Sequence, residues 1–485
     1  MLLCGSNAAL LPPTLHTVHR IAGGKLHRLG RARGNVKINP DFEERAEGDD
    51  LLLRNLTGRA TLLIPAKKVR GYRAIRAGRP HDLEPSDIDT LRKYEVITDD
   101  TLSPPISKRR TLAEKLDDPK YLYDNYTKQF YPHKAPLGVL WSVTQRCNLC
   151  CQYCHASARK TAVDRSLKDI IIIADKLIAA RPFEIVINGG EPFLRRDLFS
   201  IIEHLMGHKF ILSINTNGTL IDKRTAARLA DLSTIVGVSI DGPNEEINSL
   251  TRGRFTLEKS VLGIRRLAEA GVTTHILTTV TRLNFDSIRD IVALTASLGV
   301  KIQTLQDLHP AGFGKQVFHD LALTPTQEEN ILPLLRDLSR DFPDMTINTT
   351  ELTYFAYHEI AEKHTPADRP PLHLFQCTAC TESLYIDASG TLYPCVALLD
   401  MPMGNLLTED FSACWQNSLA ARMVREARGI SVTAIAACRD CVRNHICTGG
   451  CRGDAISLYD DWFAPHPRCP KCVNERSAIV NGPGS

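Results

Sequence analysis

The sequence predicts an α/β protein: a partial (β/α)6 TIM-type barrel, preceded by a small α+β module and followed by a Cys-rich extension. Three observations carry that expectation. Apolar strand-like runs at 137–144, 184–188, 209–215, 234–240, 274–281 and 301–308 alternate with helix-period segments near 166–180, 196–207, 222–231, 256–270, 286–298 and 325–340. Ahead of them, about fifty residues read strand, strand, helix, helix. Beyond residue 375 the periodicity dissolves into short pieces punctuated by Cys, Gly and Pro, and such a region needs cross-links or metals to hold its shape.

Taken in order, residues 1–48 form a basic, irregular segment, with Arg20, Lys25, Arg28, Arg31, Arg33 and Lys37 scattered among glycines. It reads as a loose, solvated stretch. Its first residues, MLLCGSNAALLPP, have no basic residue ahead of the apolar stretch, and prolines interrupt it, so a tail is expected rather than a processed signal. The module spans 49–100. Asp50–Gly58 and Ala60–Ile64 read as two strands around an Asn55–Gly58 turn, followed by a helix through Tyr72 and a second from Pro85 to Tyr94, capped by Ser86 or Asp87. Residues 101–135 are a connector marked by Pro104-Pro105 and Lys108-Arg109-Arg110.

The barrel covers 136–345. Strand–helix crossovers are right-handed, and Gly189-Gly190 after the second strand lacks the spacing of a dinucleotide-binding turn, which favours a partial barrel over a doubly wound sheet. Reacting groups in such folds sit at strand C-termini. A linker at 346–369 leads to the extension at 370–478.

A net charge of +4 on 485 residues is too weak and too dispersed for a nucleic-acid footprint. No run of eighteen or more apolar residues occurs, so no membrane span is expected. The fifteen cysteines are more telling. Their number is odd, and they recur as C-x2-C and C-x3-C, spacings that suit metal or cluster ligation better than disulfides. A reducing, cytoplasmic setting follows. Cys147, Cys151 and Cys154 form a C-x3-C-x2-C triplet just past the first barrel strand. A 4Fe–4S cube takes one ligand per iron, so three thiolates leave one iron open to another molecule.

The triplet, the aromatic Tyr153 before its last cysteine, and Gly189-Gly190-Glu191-Pro192 at the end of the second strand together resemble the radical S-adenosylmethionine (SAM) superfamily. The resemblance implies that the amino and carboxylate groups of SAM chelate the open iron. One electron then cleaves the sulfonium, giving a 5′-deoxyadenosyl radical that abstracts hydrogen. It also implies a set of SAM contacts. Gly189 and Gly190 expose backbone where a side chain would block the ligand, and Glu191 or that backbone holds the ammonium. Ser213 and Asn215 face the ribose; Ser239 and Asp241 lie near the sugar or the methionine carboxylate. Tyr153 lies near the adenine, and Arg252 is a carboxylate partner. Turn chemistry around Asn217-Gly218 also accounts for Ser213, and an exposed salt bridge also accounts for Arg252. Cys150, inside the loop, is expected to be a buried bystander.

The extension resembles the SPASM domain of the same superfamily: Cys377 and Cys380, then Gly390-x4-Cys395, then Cys438-x2-Cys441-x5-Cys447-x3-Cys451, then Cys469. This implies two auxiliary 4Fe–4S clusters, three in all. One is held by Cys377, Cys395 and Cys451 with Cys380; the other by Cys438, Cys441, Cys447 and Cys469, with Cys472 a rival for the last place. Cys4, Cys414 and Cys472 are left unligated. C-x2-C pairs also serve zinc.

Sulfatase-activating relatives carry Asp directly after the cysteine of G-x4-C, where this chain has Val396. The implied activity is therefore maturation of a ribosomally made precursor peptide by crosslinking, epimerisation or oxidation. The 49–100 module resembles a winged-helix leader-peptide binder, and a flavodoxin or ferredoxin would supply electrons. Cofactor or haem biosynthesis, sulfatase-type protein oxidation and a non-catalytic iron–sulfur or zinc scaffold are the alternatives. Glu245, Glu246 and Asp307 lie near strand ends, but none is singled out as an acid or base.

Overall fold

The structure, a computed structural model, describes residues 18–20, 36–38, 42–47, 49–55, 61–77, 83–93, 96–99, 132–349, 371–374, 377–469 and 472. The chain divides into two compact units, one of Leu11–Arg109 with Lys209–Ile211 and one holding the remainder.

In the first unit, strands β1 (Val18–Arg20), β3 (Phe42–Glu47), β4 (Asp50–Asn55) and β5 (Thr61–Ile64) form a sheet in the order β1-β5-β4-β3. β2 (Val36–Ile38) pairs antiparallel with β6 (Ile97–Asp99). Helices α1 (Ala66–Arg76) and α2 (Pro85–Lys93) pack on this unit's core through Val69, Tyr72, Ile75, Ile88 and Leu91, against Leu51, Leu53, Leu62 and Ile64. Alternate residues of β4 and β5 thus share one buried face, as strand periodicity requires. Lys68 of α1 makes a buried ion pair with Asp87 of α2.

Residues 1–48, expected to be loose, contain β1, β2 and β3. β3 reads Phe-Glu-Glu-Arg-Ala-Glu and has no apolar alternation, yet it pairs with β4 over all six residues. Three of its charged side chains are satisfied locally: Arg45 Nε donates to Glu47 at 2.8 Å, and Glu44 accepts from Tyr72 OH at 2.8 Å and pairs with Arg76 at 2.6 Å. Backbone pairing and ion pairs form this strand, which a hydrophobic pattern cannot reveal. The Asn55–Gly58 turn, most of the connector and Cys4 lie outside the described residues.

In the second unit all six expected strands are present: β7 (Gly138–Ser142), β8 (Glu184–Asn188), β9 (Ile211–Thr216), β10 (Ile235–Ser239), β11 (Thr273–Thr279) and β12 (Ile302–Gln306). Between and after them run α3 (Leu167–Ala180), α4 (Leu198–Met206), α5 (Lys223–Asp231), α6 (Glu245–Arg252), α7 (Leu257–Glu269), α8 (Ile288–Ser297), α9 (Gly314–Leu321) and α10 (Pro325–Asp341). The short helices α6 and α9 were not anticipated. The strands follow chain order across the sheet from β7 to β12, with β7–β8, β9–β10, β10–β11 and β11–β12 paired parallel, the arrangement of a partial barrel. β7 and β8 are buried along their whole length, as strands covered on both faces must be.

Two additions were not legible. β13 (Thr346–Thr349), in the expected linker, continues the sheet beside β12; Thr-Ile-Asn-Thr has a single apolar residue and no visible period. β14 (Ser383–Ile386) joins the other edge, parallel to β7, and β15 (Thr391–Tyr393) and β16 (Gly404–Asn405) follow antiparallel. Among the described residues the sheet thus has ten strands, and the cysteine-rich region is built onto its edge. That region also has α11 (Leu419–Ala427), α12 (Arg452–Tyr459) and a fully buried Trp415 whose Nε1 donates to His133 O at 2.9 Å. Among the described residues, no helix is long and apolar enough to cross a membrane.

Candidate metal centre and cofactor cavity

The triplet loop leaves the C-terminal end of β7, and its neck is clamped by the end of β8. Val143 N donates to Asn188 O at 3.0 Å, Gly190 N to Thr144 O at 2.8 Å, and Glu191 N to Arg146 O at 2.7 Å. Arg159 N closes the loop on Gln145 O at 2.9 Å. This clamp explains the glycine pair. A Cβ on Gly189, whose φ is +143°, would lie 2.3 Å from Thr144 O, and one on Gly190 would lie 2.1 Å from Arg146 O and 3.0 Å from Cys147 Cβ. The space is taken by the backbone of the triplet loop, so the glycines seat that loop as well as bordering the cavity.

Cys147 is buried and Cys151 and Cys154 are half-buried. Burial pushes the Cys147 thiol up to about 12 and the Cys151 thiol up to about 11; it also raises Cys154. Backbone amides already point at these sulfurs: Leu149 N approaches Cys147 Sγ at 3.4 Å, and those of Ala156, Ser157 and Ala158 act on Cys154. Three desolvated sulfurs, two of them with neighbouring amide donors, form a site that a multivalent cationic centre would convert to thiolates. The donor set therefore fits a cluster bound through three cysteines.

Cys150, expected to be buried, is exposed. The loop here runs over the outside of α6, where Gln152 Nε2 donates to Leu250 O at 2.7 Å. Replacing Cys150 with serine is expected to leave iron content and SAM cleavage unchanged and stability within about 0.5 kcal/mol. Loss of iron in that variant would put Cys150 among the ligands.

The thiols face a cavity of about 120 Å³. Six of the nine expected SAM contacts border it: Tyr153, Gly189, Gly190, Asn215, Ser239 and Arg252. The other three stand behind its wall. Glu191 is fully buried; its Oε1 accepts from Thr216 Oγ1 at 2.7 Å and Phe193 N at 3.1 Å, its Oε2 from Asn217 N at 2.8 Å. It fixes the end of β9, beside Asn215. Asp241 is fully buried and accepts from Tyr153 OH, from Thr251 Oγ1 at 3.2 Å and from Thr279 N at 3.0 Å, with Arg252 Nη1 at 3.4 Å. Burial, with Asp241 beside it, pushes the Tyr153 phenol far up, so it remains a donor. Ser213 is fully buried, and its Oγ has no hydrogen-bond partner among the described residues.

Other residues at the cavity went unremarked or unassigned in the sequence. His155 follows the last triplet cysteine, and burial lowers its pKa to about 4. Asp307 and His309 follow β12. Their position past a strand end was the available signal. Val396 closes another part of the wall, packed with Leu140, Val186 and Tyr385. Glu245 is structural: it accepts from Thr256 N at 3.2 Å and Leu257 N at 3.0 Å, at the start of α7.

The C-terminal cysteines fall into two neighbourhoods. Cys395 Sγ and Cys451 Sγ both lie within 3.6 Å of one point beside Gly453, and Cys380 is close enough to Cys395 and Cys377 to feel their charge. Burial raises the Cys438 thiol to about 12, aided by Cys447, Cys469 and Cys441 around it. The two sets interleave in sequence, since Cys451 ends the second run but sits beside Cys395. Cys472 and Cys414 are buried.

Side chains tie this region to the barrel. Arg468 pairs with Asp307, and with Glu328 at 2.9 Å. His309 Nδ1 lies 2.9 Å from Asp454 Oδ1, and Ser457 Oγ donates to Pro310 O at 2.5 Å.

Comparison with known proteins agrees with this arrangement. The radical SAM superfamily profile matches residues 141–295, and the SPASM iron–sulfur cluster-binding domain profile matches 377–442. The mycofactocin maturase MftC of Mycolicibacterium smegmatis is 30% identical over 344 residues, covering 69% of this chain and 83% of that protein. An AdoMet-dependent heme synthase of Oleidesulfovibrio alaskensis is 27% identical over 344 residues, 68% of this chain and 86% of that protein. Among solved structures, Streptococcus suis SuiB bound to the precursor peptide SuiA has the same fold, with a TM-score of 0.64 over 89% of this chain and 99% of that one at 16% identity. The chain belongs to the radical SAM superfamily, an enzyme that uses S-adenosylmethionine and a 4Fe–4S cluster and carries further iron–sulfur sites in a SPASM domain.

Proposed function

We propose that this enzyme matures a ribosomally made precursor peptide, abstracting a hydrogen atom from one residue and so enabling a crosslink, an epimerisation or an oxidation. The observation that carries the reading is the 30% identity to a mycofactocin maturase over 83% of that protein. Val396 at the cavity supports it, because the position where sulfatase-activating relatives place an acid is apolar here and packed into a hydrophobic cluster. The first unit adds a place for a leader: β3 is an edge strand of its sheet, and an extended peptide can pair with such an edge.

When bound, SAM and the triplet's cluster supply the 5′-deoxyadenosyl radical. Cys147, Cys151 and Cys154 hold the cluster in this reading, leaving one iron for SAM. The backbone at Gly189 and Gly190 receives the amino group, while Asn215 and Ser239 meet the ribose. Arg252 meets the carboxylate, and Asp241 orients both Arg252 and Tyr153. Glu191 positions Asn215 rather than touching the ligand. Cys377, Cys380, Cys395 and Cys451 hold a first auxiliary 4Fe–4S cluster; Cys438, Cys441, Cys447 and Cys469 hold a second. A flavodoxin or ferredoxin in the cytoplasm delivers the electron.

Anaerobically reconstituted protein is expected to carry about twelve irons per chain, four for each cluster. A value near four would remove both auxiliary assignments. Co-expressed with a candidate precursor peptide, the enzyme should change that peptide's mass, and the peptide should stimulate 5′-deoxyadenosine release. The similarity to heme synthases supports one competing substrate class, tetrapyrroles. Release stimulated by an iron porphyrin, with every candidate peptide inert, would favour it and end the peptide reading.

A further inference from the structure

Three side chains from two segments distant in sequence meet where the barrel wall runs into the SPASM domain. His309 follows β12 and borders the cavity. Asp454 lies in the first turn of α12 and is fully buried. Cys451 immediately precedes that helix. A ring nitrogen of His309, a carboxylate oxygen of Asp454 and Cys451 Sγ all lie within 4.8 Å of one another. The arrangement is braced on both sides. His309 Nδ1 is 2.9 Å from Asp454 Oδ1, and His466 Nε2 approaches Asp454 Oδ2 at 3.4 Å. Ser457, one turn further along α12, is tied to Pro310. Asp307, His155, Arg468 and Arg452 are further ionisable groups whose charge is felt here.

We propose that His309 is a positioning residue that joins this cavity to the first auxiliary cluster and sets that cluster's reduction potential. The inference rests on Cys451 being a ligand of that cluster. Cluster potentials depend on net charge, hydrogen bonding near the sulfurs and burial, and the groups that orient and polarise ligands tune the centre they hold. A buried carboxylate beside Cys451 stabilises the more positive, oxidised cluster and lowers its potential. His309 engages that carboxylate through Nδ1 and reduces the field it exerts on the sulfur. His309 also borders the cavity, so an occupant that polarises its imidazole alters this field. Cavity and cluster are thereby coupled through one imidazole, with Asp454 setting its orientation.

The test is a dye-mediated redox titration followed by EPR on full-length, anaerobically reconstituted protein. Cys147, Cys151 and Cys154 are replaced by alanine in every sample, so that the triplet's cluster does not contribute. Cys451→Ala identifies the signal by removing it. His309→Ala, which leaves Asp454 facing the sulfur, is expected to shift the midpoint of that signal to lower potential. Asp454→Asn, which removes the charge, should shift it to higher potential. His309→Gln keeps a donor toward Asp454 and should stay close to the parent. A merely structural role predicts loss of cluster, not shifts of opposite sign. Should His309→Ala fail to hold the cluster, Asp454→Asn and His309→Gln carry the comparison. Midpoints equal to the parent in Asp454→Asn, or shifts of the same sign in the His309→Ala and Asp454→Asn variants, would overturn the proposal. A signal that survives Cys451→Ala would instead overturn the ligand assignment beneath it.

Discussion

Gly190→Ala should lose the triplet's cluster and lower SAM cleavage by at least about 100-fold, the penalty for displacing a reacting centre by about an ångström. The new methyl would lie 2.1 Å from Arg146 O and 2.5 Å from the carbon of that carbonyl, with Cys147 Cβ at 3.0 Å. None of these is the far end of a flexible side chain, so the neck of the loop itself must move. The overpacking alone costs about 1–3 kcal/mol, and relief comes by breaking the bonds from Gly190 N and Glu191 N to that neck. Iron analysis should show a loss of about four atoms, one cubane, with auxiliary absorbance retained. Gly207→Ala is the control: at the end of α4 a Cβ meets nothing within 4 Å. A Gly190→Ala protein with full iron and parental cleavage would show that the clamp does not govern the site.

Asp241→Ala is expected to destabilise the barrel by about 3–5 kcal/mol, the cost of stranding one partner of a buried ion pair. Its carboxylate is the acceptor shared by Tyr153, Thr251, Arg252 and the amide of Thr279. Both it and Arg252 are buried, their side chains 0% and 10% exposed, so solvent does little to screen the loss. Asp241→Asn keeps an acceptor and should fall between the two. SAM affinity, followed by equilibrium binding, should drop in both variants because Arg252 and Tyr153 border the cavity. Parental unfolding temperature and parental affinity in Asp241→Ala would sink the assignment.

The barrel was legible because its parallel strands are buried on both faces. Glu184-Ile-Val-Ile-Asn188 and its counterparts stand out as apolar runs wherever helices cover a sheet twice. β3 and β13 escaped notice because polar residues fill them and their stability comes from pairing with neighbours. The cysteine spacings announced clusters, since ligation geometry constrains short loops. They did not show that Cys150 would be exposed. Glu191 was marked by its place beside two glycines, yet its three hydrogen-bond donors come from Phe193 and from Thr216 and Asn217, 25 and 26 residues away, and only folding brings the distant pair to it.

The chain's own pattern thus determined the class of fold, the three cysteine sets by spacing and the chemistry they imply, because period and spacing are local properties. Tertiary structure alone decided which side chains reach the cavity and which stand behind it. Asp241 and Ser213 lie behind the wall, Val396 and Asp307 border it, and His309 meets Asp454 across 145 residues. Those outcomes depend on how strand ends converge and on contacts between distant segments, and no local window of sequence contains them.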